Sequence, residues 1–524
     1  MPRFLILSIL AALLALGFGG CSAREPGEGE TTAEATPTPT PTPIVPAPEY
    51  CAKAPHDQPC SFIPQDVTAK LNPGYDGLTE NDQRPFDNFS WQMFLALNWP
   101  ADANGKPLPG SIGSNPTAPR VWMSYPKPVD VFHLDFPGGV DATPEVCQGV
   151  GDSPGLPVFQ LMAKNDHGGV GGSILEATGQ PLIDRNLNFT LFDVRLNDVE
   201  ANYIRSNGLD TLGGQVQFKQ AGKTVSFPMG YYQDPNRRLG GSVGAIEIKS
   251  AWRIMDAAKG DRLDRFYTTP ALVYVKAENS ETGKPFCFQA TLGMVGFHAI
   301  QRTTGPGGQE QDWMWGTFEH VDNQPEALDA ADPTSLRPAP SNNCTAPPRA
   351  PNIYSYYQAT CNGPGCTPNT APQPEPNGNY LWATTPPYAR RYGNGDRKNF
   401  GTQVVRCWKI YPETADLNAA FAKKLAGTVW ANYRLINTQW QAHKDSPEVV
   451  GQVPAFLGNP VQETYIQSNA TCLGCHGFAT TAVGQDANFS FLLSIPRLFA
   501  TEGQEGAAGT AAPSPPAAGA GTGG

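Results

Sequence analysis

The chain has 524 residues, 16% of them charged, and a formal net charge of −11. No sustained run of Lys or Arg interrupts that acidity, which leaves nucleic-acid binding or electrostatic adhesion to an anionic membrane little to work with. Its 55 Gly and 52 Pro exceed the usual shares and favour a turn-rich, strand-rich body over a helical bundle.

Residues 1–20 place Arg3 ahead of an apolar stretch, Phe4 to Leu16, with Gly19 and Gly20 directly before Cys21. This is the pattern of a cleaved export signal, and the apolar run is too short for a comfortable spanning helix. Phe18-Gly19-Gly20-Cys21 resembles the bacterial lipobox, with Phe18 where Leu is usual. The resemblance implies that Cys21 is lipidated and becomes the new N-terminus. Ser22 in place of Asp then implies the outer membrane. The expected location is exported, on the periplasmic side or cell surface, with the lipid at Cys21 as the membrane contact. Residues 21–48 read as a disordered linker whose Thr-Pro repeats favour an extended tether, and residues 501–524, almost wholly Gly, Ala, Pro, Ser and Thr, read as a disordered tail.

The expected fold class is α+β: a β-rich body over 49–405 with one N-terminal helix, then a mainly helical segment over 406–500. Residues 79–99 space Phe86, Phe89, Met93, Phe94 and Leu97 as an amphipathic helix, with Pro85 near its first turn. The runs FTLFDVRL, GQVQF, VGAIEIKSAW, ALVYVKA, FCFQATLGMVGFHAI and MWGTFEHV, bounded by Gly, Pro and Asn, predict strands. In one of them Ile246, Ile248 and Trp252 alternate with Glu247 and Lys249, as a half-buried sheet requires. Residues 325–400 predict a long, stapled loop region. From Thr414 to Trp440 the residues Leu417, Phe421, Leu425, Val429, Tyr433, Ile436 and Trp440 fall on one stripe of a long helix. The clusters GGVGG and LGGSVG lack a phosphate-binding pattern and predict bends.

Cys472-Leu473-Gly474-Cys475-His476 is the C-x-x-C-H pattern of haem attachment. Two thiols three positions apart on a helical turn can add to the two vinyl groups of one porphyrin, and the adjacent imidazole then meets the iron. With 11 Cys and 7 His in the chain, chance would produce the pattern roughly 0.003 times, so coincidence is a poor explanation. A zinc or cytosolic redox pair is disfavoured by the export signal and by the lack of a second C-x-x-C. The motif resembles that of the c-type cytochromes, which implies one covalent haem c, with Cys472 and Cys475 as thioether donors and His476 as axial ligand. The stretch from Gly293 to Asn323, with ETYIQSNATCLGCHG and NFSFLL, also resembles uncharacterised bacterial cytochrome c family proteins, a likeness that brings no established reaction.

Small cytochromes c take a methionine from beyond the motif. Here residues 477–500 hold none, the last methionine being Met314. A sixth ligand must come from upstream, or the iron is open. His298 is the first candidate and His320 the second, with Met294, Met314 and His443 behind them. Setting aside Cys21 and the haem pair leaves eight cysteines, enough for four disulfides in an oxidising compartment, with Cys51–Cys60 and Cys361–Cys366 the expected local pairs. The tryptophans Trp91, Trp99, Trp313, Trp315 and Trp440 are expected in the core.

The expected function is extracytoplasmic electron transfer through the haem iron, with a redox partner protein still to be identified. The alternative is a haem c enzyme (peroxidase, oxygenase or reductase) acting on a small molecule at an open distal site, where His298 or Glu319 would handle protons. A third reading makes the β-rich body a docking module.

Overall fold

Seven runs pair into one sheet: β1 (Val158–Gln160), β2 (Leu191–Leu196), β3 (Ile246–Met255), β4 (Thr268–Val275), β5 (Phe286–Thr304), β6 (Glu310–His320) and β9 (Tyr433–Trp440). A separate parallel pair joins β7 (Glu326–Ala331) to β8 (Arg406–Trp408). The computed structural model describes residues 59–67, 83–132, 144–151, 155–160, 179–233, 240–304, 310–351, 353–373, 380–389, 401–440 and 454–498. Strand β5 organises the sheet. One edge pairs antiparallel with β3. The other edge pairs first with β4, over Phe286–Gly293, and then with β6, over Gly296–Thr304. Strand β9 continues the sheet beyond β6, and β2 beyond β3.

The helices are α1 (Gln83–Leu97), α2 (Pro128–Val131), α3 (Asp198–Ser206), α4 (Leu212–Gln220), α5 (Pro412–Lys424), α6 (Cys472–His476) and α7 (Ile495–Leu498). Helices α1 and α5 pack on one sheet face, where Trp91, Phe94, Phe297, Phe318, Phe421, Trp430 and Trp440 share a core. Trp91 stacks on Phe421 with ring centres 4.5 Å apart, and its indole N–H donates to Asn418 Oδ1 at 3.0 Å. On the opposite face Leu196, Ile300, Trp313 and Trp315 pack against Leu473, Leu492, Leu493 and Ile495 of the C-terminal segment. The side chains on β5 divide as strand geometry requires, with Phe297 and Ala299 in one core and Ile300 in the other.

Four sequence expectations need correction. GQVQF lies in α4, not a strand: Thr211 caps it by accepting from Gly214 N–H, and a short apolar run does not distinguish the two periods. The stripe from 414 to 440 is broken. Helix α5 stops at Lys424, Gly427 takes a φ of +83°, and the chain re-enters the sheet as β9. That strand moves part of the expected helical segment into the body's own sheet, so residue 405 is not a structural boundary. Finally, neither α1 nor β3 is half-exposed. Every residue of α1 except Arg84 is buried, and β3 is buried on both faces, Glu247 included, because α1 is covered by the sheet and α5, and β3 by the C-terminal segment.

The region 325–400 is largely irregular where it is described, and Cys361–Cys366 pairs as expected. Cys147–Cys287 and Cys344–Cys407 are the other two described pairs. Cys60 is disulfide-bonded, while Cys51 lies outside the described residues, as do Cys21 and His443. Among the described residues no helix is long and apolar enough to cross a membrane.

Candidate functional site

Helix α6 is one turn of chain fixed at its start from two directions. Thr471 accepts from Gly474 N–H, and Gln439 Oε1, from β9, accepts from Cys472 N–H at 2.8 Å. The amide of Gln439 in turn donates to the Pro454 carbonyl at 3.0 Å. The central sheet thus positions the motif through one buried glutamine. Gly474 suits the Thr471 cap, since a Cβ there would lie 2.3 Å from Thr471 Cγ2.

The motif cysteines are the free ones. Each described cysteine outside the motif is disulfide-bonded, whereas Cys472 and Cys475 are not paired. Burial first and the Glu463 carboxylate second push the Cys472 thiol well above its ordinary range. Crowding raises Cys475 too, although its side chain reaches solvent.

Among the described residues His476 is tied by one nitrogen only. Its Nδ1–H donates to the Phe489 carbonyl at 2.8 Å, so in the neutral ring Nε2 carries the lone pair. Desolvation pushes its pKa down to about 4, which keeps the ring neutral. The carbonyl is aimed by an unusual turn. Asn488 and Phe489 both have positive φ, 48° and 70°, a conformation that costs non-glycine residues free energy and tends to mark functional sites. Trp313 holds the turn by donating its indole N–H to the Asn488 carbonyl at 2.9 Å. The Trp315 and Phe491 rings lie 4.8 and 5.0 Å from the imidazole. Phe478 and Phe491 are exposed, so the thiols and imidazole border an uncovered apolar surface.

His298, the first candidate ligand, faces this site from β5. It is near enough to His476 to oppose that ring's protonation. Its Nε2–H donates to Glu463 Oε1 at 3.1 Å, and its Nδ1 is buried without a hydrogen-bond partner among the described residues. Burial tends to raise the Glu463 carboxyl, but His298 and Lys249 hold it below the usual range.

His320 does not join them. Its Nε2–H donates to the Arg265 carbonyl and its Nδ1 accepts from Asp322 N–H, both at 3.0 Å, so neither nitrogen is free for iron. Glu319 is likewise committed, accepting from Arg434 at 2.7 Å and Gln324 at 2.6 Å, and paired with Arg406. Met294 and Met314 are buried in the core on the other sheet face. Gln439, Glu463 and Phe489 carry no motif. Glu463 and Phe489 lie in the quoted stretches ETYIQSNATCLGCHG and NFSFLL, but nothing in the sequence singled out either residue.

A scan of known protein families, a search of curated proteins and a search of solved structures each found no match to this chain. Among the described residues no three His, Cys, Asp or Glu side chains converge on a metal-holding point. A haem iron makes no such demand, since the porphyrin supplies four of its ligands.

Proposed function

We propose that this is an exported monohaem c-type cytochrome that transfers single electrons. Cys472 and Cys475 are its thioether donors and His476 Nε2 its axial ligand, with a redox partner protein yet to be identified. The C-terminal segment acts as the haem carrier, built of the short helical turns around α6. Haem, once attached, supplies one-electron chemistry at a potential tuned by ligands, burial and hydrogen bonds. The chain's own residues hold and orient it: the Phe489 carbonyl fixes the His476 tautomer, Gln439 anchors the helix, and Phe478 and Phe491 offer apolar cover. The observation that carries this reading is the pair of unpaired thiols beside an imidazole with only Nδ1 tied, in a chain whose other described cysteines are oxidised.

The fit is tested in a host competent for cytochrome maturation. Denatured protein should keep its pigment by peroxidase-stained gel and weigh one haem more than the polypeptide, and an unpigmented product of polypeptide mass would overturn the assignment. His298 is the proposed sixth ligand. An enzyme with an open iron is the second reading, and the buried His298–Glu463 pair favours it, since a histidine bonded to a carboxylate can move protons. Carbon monoxide separates the two. Immediate binding by the ferrous protein, from a five-coordinate spectrum, would select the enzyme. The lipid at Cys21, the outer-membrane location and any small-molecule substrate belong to this proposal as well.

A further inference from the structure

Behind the turn that holds His476 lie two carboxylates that no cation pairs with among the described residues. Glu200, at the start of α3, and Glu247, on β3, are 0% and 7% exposed and face each other. Apart from the facing carboxyl, neither Glu200 oxygen has a donor among the described residues, nor does Glu247 Oε1. Leu196 on β2 and Ile300 on β5, the register neighbours of Glu247, carry no charge. Asn197, which caps α3, is neutral too. On that sheet face the register places Lys249, two residues along β3, and His298 beside it, which bonds to Glu463, on one side of the pair, and Arg302, two residues along β5 from Ile300 and donating to Ser226 and the Phe227 carbonyl, on the other. Two carboxylates packed together in apolar surroundings cannot both ionise cheaply, so one proton is held between them.

The pair is connected to the haem-binding histidine. Ser490 bonds to Glu247, and Ser490 follows Phe489, whose carbonyl takes the Nδ1 proton of His476. Resting on the haem reading above, we propose that Glu200 and Glu247 form a proton-binding site linked to the iron's redox state. When a one-electron donor protein delivers its electron, the pair takes up a solvent proton and becomes neutral; when the electron leaves to an acceptor protein, one carboxylate forms and the proton is released. Charge balances, because the negative charge arriving at the iron is met by H⁺. The direction fits the surroundings. Burial first, and the facing Glu247 second, push Glu200 well above the usual carboxylate range, and burial raises Glu247.

The test is a spectro-electrochemical titration of the holoprotein from about pH 4 to about pH 10, beside its Glu200→Gln and Glu247→Gln variants. The wild-type midpoint potential should fall with pH across the pair's titration, towards a limit of about 59 mV per unit for one proton per electron. Either variant should flatten that fall while keeping the haem spectrum. Either one alone decides, should the other not fold. An infrared band of a buried carboxylic acid, shifted in either variant and lost when both residues are Gln, reports the shared proton without using the haem. A pigmented variant with the wild-type slope overturns the proposal and leaves the haem assignment standing. A chain without covalent haem overturns the haem assignment, and the coupling with it.

Discussion

His320 gives the sharpest link between the geometry and a bulk measurement. Its Nδ1 accepts from Asp322 N–H at 3.0 Å, its Nε2–H is already given to Arg265, and Phe266 stacks on the ring at 3.6 Å. A second proton would set N–H against N–H in a buried site. Burial, the largest cause, brings the pKa from 6.5 to about 4. Because the folded value is depressed, the unfolded chain binds more protons between pH 6.5 and about 4, and stability is lost as pH falls through that window. At about 1.36 kcal/mol per unit the loss is roughly 3 kcal/mol. Urea unfolding of the wild type and His320→Gln at a series of pH values checks it. Glutamine keeps a donor and an acceptor but does not titrate, so its profile should be flatter by about that amount. His476, shifted in the same direction, contributes equally to both proteins and cancels. Parallel profiles would refute the reasoning.

Three other outcomes are expected. Replacing Cys147 and Cys287 with Ser opens a link spanning 140 residues, and the chain-entropy relation puts its loss at about 5 kcal/mol, against about 2 for the Cys361–Cys366 link spanning 5. Denaturant midpoints should rank the two double variants in that order. Trp91→Ala removes a ring stacked on Phe421 and packed edge-on against Phe94 and Phe318, at a cost of about 3–5 kcal/mol, and a loss under about 1 in urea unfolding would show that the site collapses to fill itself. Cys21→Ser should move the protein from the detergent phase to the aqueous phase, and unchanged partitioning would count against the lipid.

Where local signals were consistent they led to the right elements. The dense β-branched and aromatic runs became β2 to β6, and Pro85 marked the first turn of α1. They failed where one pattern served two structures. Leu417, Phe421 and Leu425 do lie on a buried helix face, but Tyr433, Leu435 and their neighbours needed Gly427 and β6 to make them a strand. Alternation in β3 suggested one wet face, and only the C-terminal segment lying over it accounts for a buried Glu247.

By itself the sequence determined the β-rich class, the C-x-x-C-H pattern and the candidacy of His298, because these depend on residue type and short spacing. The tertiary structure alone decided which groups surround that pattern. It brought Gln439, Glu463 and Phe489 to the motif from separate stretches of chain, and it engaged both nitrogens of His320 elsewhere. A ligand's free nitrogen depends on which partner takes the other one, and such partners come from chain folded back through strand pairing, across separations that no local pattern records.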